Sequence, residues 1–446
     1  MTASQLAAFE GMVDNNLQLV WGPPGTGKTH FLALAVLCFT EAHRRHGLQL
    51  RVAVTAFTHT AIDNCLDKIC ELQARLAVVD GGLAVHKLAG QDRGEVTGLA
   101  LDRLAEALEV SEQLVVGSTV WQLRKVAPDD LAADLVVIDE GSQVTVGESA
   151  IAIRRVAAGG RLVIAGDPEQ LPPIVRGSYP TADGEPMLHR SILECLDAQD
   201  PHRASGLVAP LLENFRMNDV LCGYPAASIY PDEYRPADDE VAARRLALDE
   251  TPGAGGELVD LVLDPAHPLV VVVLEDVQAT RENPAEAAMV VTLTEALRAR
   301  SAGLDDEEFW ADRLFVVGPH HAQNRLIRRG LDQRLGMAYV DTVDKMQGQE
   351  RDAVIVSYGV SDVEYALSEK EFIYSRNRLN VAVTRARVKS IVFLSRRLLE
   401  PPIQALDQDD VADGVAYMQG LARWCEERSE PITMQVDGAR ITVLRA

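Results

Sequence analysis

Gly22-Pro23-Pro24-Gly25-Thr26-Gly27-Lys28-Thr29 is a G-x-x-x-x-G-K-[ST] loop, set between an apolar run, Leu17-Gln18-Leu19-Val20-Trp21, and a helical one beginning at His30. Strand, glycine-rich loop and helix start form a phosphate cradle: the glycines let backbone N–H groups turn towards phosphate oxygens, and the helix N-terminus adds partial positive charge. Gly22, Pro23, Gly25, Thr26, Gly27, Lys28 and Thr29 are therefore candidates for holding a nucleoside triphosphate. Lys28 would neutralise the β- and γ-phosphates, and the Thr29 hydroxyl would ligate Mg²⁺. Further on, Leu135-Val136-Val137-Ile138 runs into Asp139-Glu140. Two acids after an apolar run are common by themselves. Downstream of a phosphate loop, they put Asp139 at the carboxyl end of a central strand, where it can hold Mg²⁺ through water. Glu140 can then orient the attacking water as general base. Gln170, in Gly166-Asp167-Pro168-Glu169-Gln170-Leu171-Pro172-Pro173, can bond the γ-phosphate or that water and relay hydrolysis to distant parts. Gln5, on a short helix expected from Ser4 to Met12, has an amide suited to the edge of adenine. Taken alone, a surface glutamine is the better reading of it.

Positioning such residues requires a repeated strand, loop and helix. The chain of 446 residues, 47% hydrophobic and 24% charged, carries that pattern, which argues for parallel sheets with helices on both faces in two or three domains. No apolar run reaches the ~20 residues of a membrane span and no signal segment opens the chain, so a cytoplasmic protein without a membrane partner is expected. Six scattered cysteines with no C-x-x-C pair read as buried thiols rather than metal ligands. A net charge of −23 argues against a protein that coats DNA, and leaves any nucleic acid to a local groove with salt-sensitive contacts. After a strand at Arg51–Ala56, the hydroxyls and imidazole of Thr58, His59 and Thr60, with Asn64, could hold nucleic-acid phosphates, or simply cap a helix running to Leu76. Residues 77–112 carry no clear pattern. A strand at Leu114–Gly117 leads to Thr119 and Trp121, whose ring could stack a base or pack, with packing favoured.

In order, GPPGTGKT, TAFTHTAIDN, VVIDEGSQ and GDPEQLPP resemble motifs I, Ia, II and III of the superfamily 1 helicases, in the subgroup of the RNA-surveillance helicase and the flap-processing helicase-nuclease. The likeness continues with ENFRMN (213–218), VGPHHAQ (317–323), VDTVDKMQGQE (340–350) and LNVAVTRAR (379–387). The resemblance implies two RecA-like P-loop NTPase domains in tandem, each a mainly parallel sheet with helices on both faces, using ATP and Mg²⁺. It implies Arg216 and Arg385 as arginine fingers, Phe215 as a stack for adenine, and Glu350 as a ribose or nucleotide-edge contact on a loop with Gln347 and Gly348. Pro319, His320, Gln323 and Thr342 become nucleic-acid candidates, and each histidine reads as structural or phosphate-contacting rather than metal-binding. DEGSQ stands where the family usually has DEA-x-Q. Relatives place a β-barrel or nuclease domain upstream, whereas four residues precede Gln5, so an excised motor and a compact stand-alone version are both open.

The expected layout is a first domain over 1–205, a second over 206–425 and a C-terminal β-hairpin extension over 426–446, where alternation surrounds Asp437-Gly438. Strands are expected at 269–274, 314–317, 339–343, 353–358 and 390–394, and Asn283 with Glu286 should open a helix. The leading functional expectation is an ATP-dependent helicase or translocase on single-stranded nucleic acid, DNA favoured over RNA, moving 5′→3′. The alternatives are an RNA helicase, or a nucleic-acid-stimulated ATPase switch that remodels partners without unwinding. A P-loop kinase or metabolic ATPase is opposed by Arg385 and the QGQE loop.

Overall fold

The computed structural model describes residues 1–446 except 79–81, 128–129, 176, 178, 180–186, 199–204, 250–255, 332–338 and 347. The chain divides into two compact units, Met1–Glu213 and Asn214–Ala446.

In the first unit, eight strands form one sheet: β1 (Leu17–Trp21), β2 (Leu50–Ala56), β3 (Leu83–Leu88), β4 (Thr97–Leu99), β5 (Gln113–Thr119), β6 (Ala133–Ile138), β7 (Val156–Gly166) and β8 (Val208–Pro210). Their order is β4-β3-β5-β2-β6-β7-β1-β8, with every paired neighbour parallel. Side chains alternate across a strand, so a sheet covered on both faces must bury both sets. Val52, Val54, Leu135, Val137, Val163 and Ala165 share one core with helices α1 (Ala3–Asp14), α2 (Lys28–Arg45) and α3 (His59–Leu76). Their alternates Ala53, Val136, Ile138 and Ile164 are equally buried. The expected first helix is present and longer: the Thr2 hydroxyl accepts from Gln5 N while the Gln5 side chain accepts from Thr2 N, a capping box.

The two-residue strands β9 (Glu213–Asn214), at the point where the chain passes into the second unit, and β10 (Arg235–Pro236) form a small sheet. The main sheet of the second unit comprises β11 (Leu269–Leu274), β12 (Leu314–Val317), β13 (Val340–Asp341), β14 (Arg351–Ser357), β15 (Ala386–Ser395), β16 (Ile432–Val436) and β17 (Ala439–Arg445), in the order β13-β12-β14-β15-β11-β17-β16. The first five strands are parallel and the last two join antiparallel. Residues 426–446, expected as an extension, are thus built into this sheet, because β17 bonds directly along β11. Asp437 and Gly438 have φ of 48° and 84°, the left-handed pair that a two-residue hairpin turn requires.

Candidate functional site

The phosphate loop lies between the end of β1 and the start of α2. Gly25 and Gly27 have φ of 76° and 73°, a backbone that L side chains rarely adopt and that turns the loop sharply into the helix. Thr26 Oγ1 donates to Pro23 O at 2.8 Å, Gly22 N donates to Gly166 O at 2.9 Å, and Lys28 Nζ curls back onto Gly22 O. Gln5 lies beside this loop. It is buried, and its Nε2 donates to Thr26 O at 3.4 Å, so the surface reading fails and the first helix is tied to the loop.

Asp139 follows β6, is only 3% exposed, and lies close enough to the Thr29 hydroxyl and the Lys28 charge for both to act on it. Burial pushes its carboxyl above the usual carboxylate range, against the Glu140 amide, the Lys28 charge and the Thr29 hydroxyl. Lys28, Thr29 and Asp139 therefore meet at one point of the first unit. Glu140 has φ of 52°, a left-handed conformation in a residue with a Cβ. Such strain persists where the surroundings enforce it, and it is concentrated at functional sites. The departure from DEA has a steric cause: a Cβ on Gly141 would fall 2.7 Å from Ile164 Cγ2. Asp167 organises the next loop, accepting from Trp21 Nε1 at 3.1 Å, Glu169 N at 3.1 Å and Gln170 Nε2 at 2.9 Å. Gln170 is thus joined to the end of β1.

Thr58 is the N-cap of α3, its Oγ1 accepting from Ala61 N at 3.1 Å; His59, Thr60 and Asn64 are exposed. Thr119 is buried as the cap of the short helix Val120–Leu123. Trp121, for which packing was favoured, is 52% exposed: the four-residue helix turns its ring out to solvent.

In the second unit, Arg216, Glu350 and Arg385 come together. Arg216 Nε donates to Glu350 Oε2 at 2.5 Å, and Arg385, 5% exposed, is close enough to act on the same carboxylate. Neither arginine is a solvated surface residue. Phe215 is 41% exposed, and Gly348 has φ of 73°; Gln347 lies outside the described residues. A cleft at the carboxyl ends of β12 and β13 is lined by Pro319, Thr342, Asp344, Tyr358, Phe372 and Arg378, among others. The His320 ring stands 5.8 Å from that of Phe372, whose face carries the Arg378 guanidinium at 4.5 Å. Phe372 and Arg378 were missed by sequence reading. The available signal was an aromatic and an arginine just ahead of the LNVAVTRAR block.

Gln323 is a correction. It is 0% exposed, accepts from Asn283 N at 2.7 Å and donates to Ser357 Oγ at 2.9 Å, so both ends of its amide serve the fold rather than nucleic acid. Ser357 Oγ donates in turn to Glu286 Oε1 at 2.6 Å, and Gly359 N donates to the same oxygen at 2.9 Å. Burial pushes the Glu286 carboxyl up from 4.5 to about 7, against these bonds. A carboxyl that is easier to protonate folded than unfolded stabilises the protein below pH ~4.5, and that contribution disappears as the pH rises through about 7. Glu286→Gln keeps the acceptor oxygen and removes the titration. Denaturant unfolding between pH 5 and 8 should then lose a slope worth up to ~3 kcal/mol; an unaltered slope would refute the assignment.

Two family models described as AAA domain match the chain, one over residues 5–176 and one over 188–397. The human DNA replication ATP-dependent helicase/nuclease DNA2 is 25% identical over 402 residues, covering 85% of this chain and 36% of that protein. DNA polymerase alpha-associated DNA helicase A of Saccharomyces cerevisiae is 23% identical over 501 residues, covering 96% of this chain and 68% of that protein. Among solved structures, the ATP-dependent Type ISP restriction-modification enzyme LlaBIII bound to DNA matches at 14% identity with a TM-score of 0.43, over 95% of this chain and 29% of that one. The chain spans little more than a third of the human helicase/nuclease.

Proposed function

The chain belongs to the superfamily 1 helicases, as a motor region of the helicase-nuclease subgroup, and on that premise we propose that it is an ATP-dependent helicase moving 5′→3′ along single-stranded DNA. The observation that carries this reading is the meeting of Lys28, Thr29 and Asp139 beside a phosphate loop. Lys28 and the loop amides bind the phosphates, Glu140 accepts the proton of the attacking water, and Gln170 orients it. Arg216 and Arg385 stabilise the charge that develops on the γ-phosphate, Phe215 stacks on adenine, and Gln5 reads its edge. A hydroxyl and a buried carboxylate are the hard oxygen donors that suit Mg²⁺, and a cation offsets the cost of burying Asp139. Thr29 and Asp139 would hold it, and it would supply charge neutralisation to the phosphates.

For DNA over RNA, the support is the wording of the relatives' names, both of which specify DNA. Polarity rests on the subgroup. The strand is held by Thr58, His59, Thr60 and Asn64 in the first unit and by the cleft around Pro319, His320 and Thr342 in the second. A nuclease domain in the same polypeptide or complex fits the helicase/nuclease relatives, of which the motor is only a part.

ATP hydrolysis measured with and without single-stranded DNA or RNA tests the proposal, followed by strand displacement from 5′- and 3′-tailed duplexes. No stimulation by either polymer would sink it. Stimulation without displacement would leave an ATPase switch, and preferential stimulation by RNA would change the substrate.

Trp121→Ala probes the interface separately. An exposed indole at a strand end offers a stacking face worth roughly 1–3 kcal/mol per base. Single-stranded DNA binding should weaken by about 5- to 150-fold, while hydrolysis without DNA is unaffected. Unaltered affinity in fluorescence anisotropy would show that no base stacks there.

A further inference from the structure

Arg216 is gripped on two of its three guanidinium nitrogens by its own unit. Nε donates to Glu350 Oε2 at 2.5 Å and Nη1 to the Thr384 carbonyl at 3.0 Å. Its backbone is fixed as well, N donating to Asn214 Oδ1 at 2.9 Å. A guanidinium is planar, so two bonds from separate elements set the orientation of the whole fork and leave the Nη2 edge to meet another acceptor. Glu350 is itself surrounded by cations. Its Oε1 lies 3.8 Å from Arg387 Nη1, and Arg387 is anchored in turn by Asp352 at 2.8 Å. Burial pushes the Glu350 carboxyl up, but Arg216, Arg387 and Arg385 hold it below the ordinary carboxylate range.

We propose that Glu350 is a positioning residue, which presents the free edge of Arg216 to the terminal phosphate of ATP, and does not contact the sugar of the nucleotide. This replaces the ribose contact that the family resemblance implies. It rests on the reading of Arg216 as a γ-phosphate ligand. A carboxylate that holds Nε and a carbonyl that holds Nη1 together fix where the remaining donors point; removing the charge lets the fork rotate.

The test is steady-state ATP hydrolysis by the full chain at saturating single-stranded DNA. Glu350→Gln keeps an acceptor oxygen and removes the charge. Its kcat should fall by about 10- to 100-fold, the difference made by a hydrogen bond to a charged group, while the KM for ATP moves by less than about threefold. The preference for ATP over 2′-deoxy-ATP should stay as in the wild type. In an Arg216→Ala background the same substitution should cost nothing further, because groups acting through one another are not additive. A rise in KM at constant kcat, a changed discrimination between ATP and 2′-deoxy-ATP, or losses that add in the double variant would each overturn the proposal. Near-normal turnover of Arg216→Ala alone would remove the underlying reading, whereas a slow Arg216→Ala with additive losses would remove only this inference. If Glu350→Gln loses cooperative thermal unfolding, Glu350→Asp keeps the charge but draws it back by one methylene. That variant should lower kcat by a smaller factor at unchanged KM, and an effect on KM alone would count against Glu350 as a positioning residue.

Discussion

Lys28→Ala is expected to abolish ATP turnover both with and without single-stranded DNA, at nearly unchanged thermal stability. The loop backbone does not depend on the lysine: its turn comes from Gly25 and Gly27, and its anchor is the bond from Gly22 N to Gly166 O. The side chain is half-exposed and bonds to the Gly22 carbonyl within the same loop. What disappears is the positive charge that faces the β- and γ-phosphates. The same charge opposes the effect of burial at Asp139, so its loss also makes that carboxylate a poorer partner for a cation. Measurable phosphate release by a folded Lys28→Ala protein would contradict the assignment of the loop.

Arg385→Ala should slow turnover by ~10³-fold, the loss expected of an arginine finger, with a smaller effect on nucleotide binding. The residue sits between the helix Arg376–Val383 and β15. Its backbone is fixed on both sides, N donating to Ala382 O at 3.4 Å and O accepting from Arg351 N at 3.1 Å. A buried guanidinium costs free energy unless it is matched by negative charge, and the Glu350 carboxylate supplies part of that match. Rapid-quench measurement of a single turnover separates the chemical step from product release. A burst rate close to that of the wild type would show that Arg385 does not act on the transferring phosphoryl group.

The chemistry was legible in the sequence where residue type and spacing are themselves the mechanism. The phosphate loop needs glycines at fixed intervals, and β11 and β12 were marked by uninterrupted apolar runs such as Leu269–Leu274, buried on both faces. The edge strand β4 and its neighbour β3 escaped notice because they are only partly covered, and Leu83-Ala84-Val85-His86-Lys87-Leu88 mixes polar residues into a short segment. Orientation was the other limit. Spacing puts Gln323 just past the end of β12 but cannot say that its amide turns inward to Asn283 and Ser357. Trp121 failed in the opposite direction. Its ring has the size of a core residue, yet the short helix that carries it buries Val120 and Leu123 and leaves Trp121 on the outer side. The pairing of Glu350 with Arg216 joins residues far apart in the chain, and nothing local announces it.

The hairpin of β16 and β17 shields the margin of the second sheet. Val270 to Leu274 bond along β17, and Leu269 exchanges two bonds with Ala446, donating at 3.2 Å and accepting at 2.8 Å. All six residues of β11 are valine or leucine with no charge or proline to blunt them, and stripped of its neighbour, β11 would become a bare sticky margin on which further molecules could line up strand against strand. The strands β16 and β17 therefore act as a hem on the fabric of the second sheet, and a variant unable to form them would offer β11 as a seed for aggregation.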